Sequence, residues 1–181
     1  VESLNSKISV PIVLLVYFNP VYQYGLEKFI QKCVSAGAAG MIIPDLPLEE
    51  RAEITSIIEA GGYPIDLIPL VAPTSRERIG KVVEGASGFV YAISSKGVTG
   101  VRKQFSGELE SFIGQIRSAT ELPVALGFGI GDVERVEKVK EFVDGVILGS
   151  VLVQMIEEAA AKEEAIAKVS SFIAELRKVL G

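Results

Sequence analysis

The chain has no histidine, no tryptophan and a single cysteine. Without histidine, proton transfer falls to a carboxylate, lysine, tyrosine or the cysteine. One cysteine cannot close an internal disulfide, and it suits a reducing cytoplasm. Basic excess is missing too: 18 Lys and Arg stand against 23 Asp and Glu, a net charge of −5. That leaves no basic stripe for nucleic acid. The longest apolar run, Val10 to Phe18, is too short to span a membrane, and no signal-peptide pattern is visible.

What is present is an apolar, strongly periodic chain. Of 181 residues, 49% are hydrophobic, enough for one domain with its own core. Short apolar runs recur at Ile12–Val16, Gly40–Ile43, Asp66–Leu70, Phe89–Ile93, Val124–Leu126 and Val146–Leu148. They are nearly continuous rather than alternating, as parallel strands covered on both faces are. Between them the period changes to that of a helix. Leu26, Phe29, Ile30, Cys33 and Val34 make one stripe, and Ile54, Ile57 and Ile58 a second. Leu109, Phe112, Ile113 and Ile116 make a third, and Val133, Val136 and Val139 a fourth. Cys33 lies on the first stripe, which predicts a buried small side chain rather than a reactive thiol. Glu163–Leu180 predicts a last helix with Ile166, Val169, Ile173, Leu176 and Leu180 on one face.

Punctuation agrees with this division. Pro47 ahead of Glu49 and Glu50 signals a helix start, and Thr74, Asp132 and Ser150 are the expected N-caps. Gly37, Gly61 and Gly62 sit where helices should stop. The opening, Val1 to Lys7, reads as a helix tail and a loop with an earlier part missing. The expectation is one α/β domain over residues 1–181, a parallel sheet built from six βα units. Six units cannot close with ordinary barrel geometry, so the first and last strands are expected to be open edges.

Two glycine clusters carry the chemistry. Gly127 to Gly131 reads Gly-Phe-Gly-Ile-Gly, and Leu148 to Ser150 reads Leu-Gly-Ser. Each follows a strand-like run and opens a helix, whose unpaired first-turn N–H groups and dipole favour an anion. Two such loops on consecutive units describe the phosphate site that (β/α)₈ barrels build after strands 7 and 8. The other strand ends deliver Tyr17, Asn19 and Pro20; Asp45; Ala72, Pro73 and Thr74; and Tyr91 followed by the polar loop Ser94 to Gly100 with Lys96 and Thr99. Tyr17 and Tyr91 can line an apolar pocket and donate a hydrogen bond. Phe128 can stack on an aromatic substrate or simply fill space. Asp45 is open to two readings, a general base or a holder of loop N–H groups. No pair of carboxylates stands out as an acid/base couple.

Several segments occur in a specific order: Pro-Ile-Val-Leu-Leu-Val-Tyr-Phe-Asn-Pro from Pro11, Ile-Ile-Pro-Asp-Leu-Pro-Leu-Glu-Glu from Ile42, Val-Ala-Pro-Thr-Ser from Val71, Gly-Phe-Val-Tyr-Ala-Ile-Ser-Ser-Lys-Gly-Val-Thr-Gly from Gly88, then Gly-Phe-Gly-Ile and Leu-Gly-Ser. Together they resemble the tryptophan synthase α-subunit family along the whole chain. The resemblance implies a (β/α)₈ TIM barrel, here about six βα units. It implies a cytoplasmic lyase that performs retro-aldol cleavage of indole-3-glycerol phosphate to indole and glyceraldehyde 3-phosphate. It places the substrate phosphate at Gly100, Gly129, Gly149 and Ser150. It places the indole among Leu15, Tyr17, Ile42, Leu70, Tyr91 and Phe128, with Thr99 in the family's mobile loop that closes over substrate and contacts the catalytic aspartate. It turns Asn19 and its neighbours toward a β subunit, which carries the pyridoxal phosphate; the chain itself is expected to hold no cofactor and no metal.

One departure matters. The family's catalytic glutamate lies in a Glu-x-Gly-x-Pro-Phe-Ser-Asp-Pro segment at the end of strand 2, with its catalytic aspartate in the loop after it. Neither stretch occurs in this sequence. No catalytic residue is therefore assigned, and the expectation is a C-terminal portion lacking two βα units that binds but hardly turns over alone. The rivals are another sugar-phosphate barrel enzyme and a non-catalytic fragment that binds a phosphorylated ligand or a partner.

Overall fold

A computed structural model describes residues 1–93, 102–127 and 132–181, with side chains described for all of these except 102–106. They form two units, Val1–Leu70 with Lys81–Phe89, and Val71–Gly80 with Val90–Gly181.

The first unit opens on a short helix α1 (Glu2–Asn5), then β1 (Ile12–Leu15), α2 (Phe18–Tyr24), α3 (Leu26–Ser35), β2 (Ala38–Ile42), α4 (Leu48–Gly61) and β3 (Asp66–Leu67). The strands lie in the order β1–β2–β3, all parallel. The α3 stripe is as the sequence predicts: Ile30 and Cys33 are buried with Ile54 of α4 against Met41, Ile43 and Leu67. β2 carries one extra residue between Ala38 and Gly40, so Ala38, Met41 and Ile43 all reach that core despite their uneven spacing. α4 starts behind Pro47, with Glu49 and Glu50 in its first turn. It ends at Gly62, whose φ of 57° is the left-handed stop that glycine takes without strain.

Two expectations need correcting here. Tyr17, Asn19 and Pro20 do not form a plain strand-end loop; Tyr17 is the N-cap of α2, and Asn19 and Pro20 lie in its first turn. Proline is tolerated there because first-turn N–H groups have no intrahelical acceptor. The third apolar run is not one strand. It breaks into β3 and β4 (Leu70–Val71), which join different sheets. Pro69 sits in the break, and a residue without an N–H cannot extend a ladder.

The second sheet runs β4–β5–β6–β7, with β5 (Val90–Ile93), β6 (Val124–Gly127) and β7 (Gly145–Ile147) parallel. A 3₁₀ turn (Pro73–Arg78) and α5 (Ile79–Val83) follow β4; α6 (Arg102–Ala119), α7 (Val133–Val139), α8 (Ser150–Glu157) and α9 (Lys162–Leu180) complete the chain. Among the described residues, six βα units can be traced when β3 and β4 are taken together. Leu109, Phe112, Ile113 and Ile116 of α6 are buried, as are Val136 and Val139 of α7. Asp144 ties the N-terminal end of β6: its Oδ2 accepts the Val124 N–H at 2.8 Å and Arg117 at 2.9 Å.

Of the expected N-caps, Asp132 serves, its Oδ1 accepting the Arg135 N–H at 2.8 Å. Thr74 and Ser150 do not. Thr74 lies inside the 3₁₀ turn, capped by Ala72, and Ser150 is the first residue of α8, because the non-helical backbone falls one residue earlier, at Gly149. The last helix is real but turned. Ala165 and Leu176 are buried, with Val169, Phe172 and Val179 half-buried, while Ile166, Ile173 and Leu180 are exposed. Both rows are apolar, and the spacing of one face favours neither.

Candidate functional site

Parallel βα units collect working groups at the C-terminal ends of their strands. In the first unit, Leu15 and Ile42 stand opposite each other at the ends of β1 and β2. Their neighbours Leu14 and Val16, and Met41 and Ile43, pack into the helix-covered core. Side chains alternate along a strand, so Leu15 and Ile42 point to the other face. Leu15 is 56% exposed there and Ile42 only 6%. Tyr17 follows directly, exposed at the head of α2.

Asp45 sits in the loop after β2. Its Oδ1 accepts the Phe18 N–H at 2.8 Å, so of its two readings the structure shows the loop-holding one, although the loop it holds belongs to β1. Beyond β3 the chain reaches Leu70, half-buried in β4. Arg51 of α4 donates to the Leu67 carbonyl at 3.4 Å, and burial pulls its guanidinium below its ordinary pKa. Nothing in the sequence marked Arg51, since α4 places three charges in a row at its start.

The second unit holds Tyr91, Gly127, Gly149 and Ser150. Tyr91 lies on β5 opposite Ala125 of β6, and its ring runs along that face over Gly127. A Cβ at Gly127 would overlap the ring and hydroxyl of Tyr91. Gly127 is therefore glycine for a steric reason as well as by membership of a glycine-rich loop. Its backbone is not left-handed. Burial pushes the Tyr91 phenol above its ordinary pKa, so it stays a neutral hydrogen-bond donor.

Gly127 stands opposite Ile147 at the end of β7, two residues before Gly149. Gly149 is the N-cap of α8, and its carbonyl accepts the N–H groups of Leu152 at 3.0 Å and Val153 at 3.2 Å. The N–H groups of Ser150 and Val151 precede those bonds and have no acceptor within the helix. Gly149 and Ser150 are both exposed. The structure thus brings Tyr91, Gly127, Gly149 and Ser150 to one end of one sheet. Thr99, Gly100, Phe128 and Gly129, with the rest of the Ser94 to Gly100 loop, lie outside the described residues. Among the described residues, no group of three or more His, Cys, Asp or Glu could hold a metal ion, and no helix is long and apolar enough to cross a membrane.

Known proteins give this arrangement a context. The family model described as "Tryptophan synthase alpha chain" matches residues 1–180. A tryptophan synthase alpha chain from Alkaliphilus metalliredigens is 47% identical over 176 residues, covering 97% of this chain and 65% of that protein. One from Thermoanaerobacter sp. is 44% identical over 180 residues, 99% of this chain and 68% of the other. Among solved structures, the tryptophan synthase subunit alpha from Campylobacter jejuni superposes with a TM-score of 0.81 at 34% identity, over 94% of this chain and 68% of that one. A structure from Pyrococcus furiosus, titled for the mutual activation of the tryptophan synthase a2b2 complex, gives 0.85 at 31% identity over 98% and 71%. The chain spans about two thirds of the length of these relatives. With the family model matched almost from end to end, the chain belongs to the tryptophan synthase alpha chain family.

Proposed function

We propose that this chain supplies the phosphate- and indole-binding part of the lyase that cleaves indole-3-glycerol phosphate to indole and glyceraldehyde 3-phosphate in tryptophan biosynthesis. The observation that carries the reading is the junction of β7 and α8. There the exposed Gly149 and Ser150 open α8, whose first N–H groups have no acceptor within the helix, at the same end of the sheet as Gly127 of β6 and Tyr91 of β5. Those donors suit a phosphate dianion, which by the family resemblance Gly100 and Gly129 would also contact. By the family resemblance, Tyr91 and Phe128 would bound the indole, and Thr99 would close over it.

A retro-aldol cleavage needs an acid and a base placed on the substrate. Neither role is assigned to any of the 181 residues. Binding contacts that hold ground state and transition state alike do not accelerate chemistry, so the chain alone would bind and hardly turn over. The Pyrococcus furiosus relative is described in an a2b2 complex. By analogy we assign α2, with Asn19, to contact with a β subunit, which would own the pyridoxal phosphate; the cleavage itself calls for no cofactor on this chain. A buried free thiol at Cys33 suits a cytoplasmic setting.

Calorimetric titration with glycerol 3-phosphate tests the site. The native chain should bind, and Gly149→Asp or Ser150→Glu should weaken binding by more than about tenfold, by placing a carboxylate against the phosphate. Equal binding by the variants would overturn the site. Indole released from indole-3-glycerol phosphate by the chain alone would overturn the assignment of binding without turnover.

A further inference from the structure

We propose that Asp45 is a positioning residue that caps α2 from the neighbouring loop and so fixes the face that α2 offers to its partner. The inference rests on the reading of α2 as the partner-facing helix. α2 is seven residues long, too short to hold its own shape in water. Its N-cap, Tyr17, makes no side-chain capping hydrogen bond. Pro20 brings no N–H at all, and the Phe18 N–H is taken by Asp45, 27 residues away in sequence. The helix is held by Val21, buried in the core of the first unit, by Phe18 packed against that core, and by the Asp45 carboxylate at the positive end of the helix.

The loop that carries Asp45 is built to stay in place. Pro44 and Pro47 bracket it, and the Leu46 N–H closes on the Ile43 carbonyl at 3.2 Å. What it holds is an aromatic surface. Tyr17, Tyr22 and Tyr24 are each more than half exposed. Tyr22 leans on Phe18 with ring centroids 5.8 Å apart, and Tyr24 meets Phe29 edge-on at 6.0 Å. Exposed, braced tyrosines are the residues protein interfaces favour. Asp45 need not touch the partner; it sets where these rings stand.

Hydrogen exchange and binding test this together on the 181-residue chain. Asp45→Ala should speed exchange of the Phe18 amide by about fivefold, the usual worth of a lost cap, while the Ile30 and Cys33 amides keep native protection. Its affinity for a purified tryptophan synthase β subunit should fall by a similar factor. Asp45→Asn keeps an acceptor oxygen and should restore most of both. Native Phe18 exchange and native affinity in Asp45→Ala would overturn the proposal. So would an Asp45→Asn variant as weak as alanine, which would mean that the charge itself faces the partner. If the native chain binds no β subunit, the reading of α2 as the partner-facing helix fails, while the exchange of Phe18 still decides whether Asp45 holds the helix.

Discussion

Replacing Gly127 by alanine should destabilise the second unit, and the cost should vanish when Tyr91 is made small. The added methyl would overlap the Tyr91 ring, and the ring atoms concerned are not the loose end of a flexible chain. Gly127 is buried and has an ordinary backbone, so no strain of the main chain enters. Forcing a methyl into a packed site costs about 1–3 kcal/mol. Against this, alanine loses less backbone freedom on folding than glycine does, a gain of about 0.5–1 kcal/mol. The net expectation is a loss of about 1–2 kcal/mol. Tyr91→Ala alone should cost about 2 kcal/mol, since its ring is only half-buried. In that background Gly127→Ala should be neutral or slightly stabilising, for a coupling of about 2 kcal/mol. Urea unfolding of the four proteins of the cycle reads this directly. With an m-value of about 2 kcal/mol/M, the Gly127→Ala midpoint should drop by about 0.5–1 M in the native background and not in the other. An equal drop in both backgrounds would refute the reasoning, because the ring could not then be what the methyl meets.

Two further outcomes follow from burial. Desolvation raises the Cys33 thiol above its ordinary 9.0 and the Tyr91 phenol above its ordinary 10.0, so the unfolded chain gives up these protons first. Stability should be fully present below pH 9.0 and fall as pH rises beyond it, with Cys33→Ser removing the earlier part of the fall; a urea midpoint unchanged between pH 8 and pH 10.5 would contradict this. On α9, Ile173→Lys should shift stability by less than about 0.5 kcal/mol while Leu176→Ala costs about 2–4 kcal/mol, and thermal melting that gave the two equal losses would show the Ile173 row to be covered.

What the sequence could show divides by the range of the interaction. The stripes on α3, α4, α6 and α7, the cap at Asp132 and the stop at Gly62 depend on residues within a turn or two of one another, and all were legible. The other strands were legible as apolar runs, because a parallel strand covered on both faces must be apolar throughout, but the run at Asp66–Leu70 hid the break at Pro69 that parts β3 from β4. α2 was not, since Tyr-Phe-Asn-Pro has the composition of a strand end, and its support comes from Val21 in the core and from Asp45 across the sheet. α9 has two apolar rows, and only the packing of the second unit chooses Leu176 over Ile173. Gly127 shows the deepest ambiguity. A glycine-rich turn before a helix and a glycine beneath a tyrosine ring select the same residue type, so no reading of the letters can separate them. The separation lies in the second partner. A phosphate loop would resent a methyl at Gly127 whatever stands at position 91, whereas a steric seat would forgive it once the ring is gone.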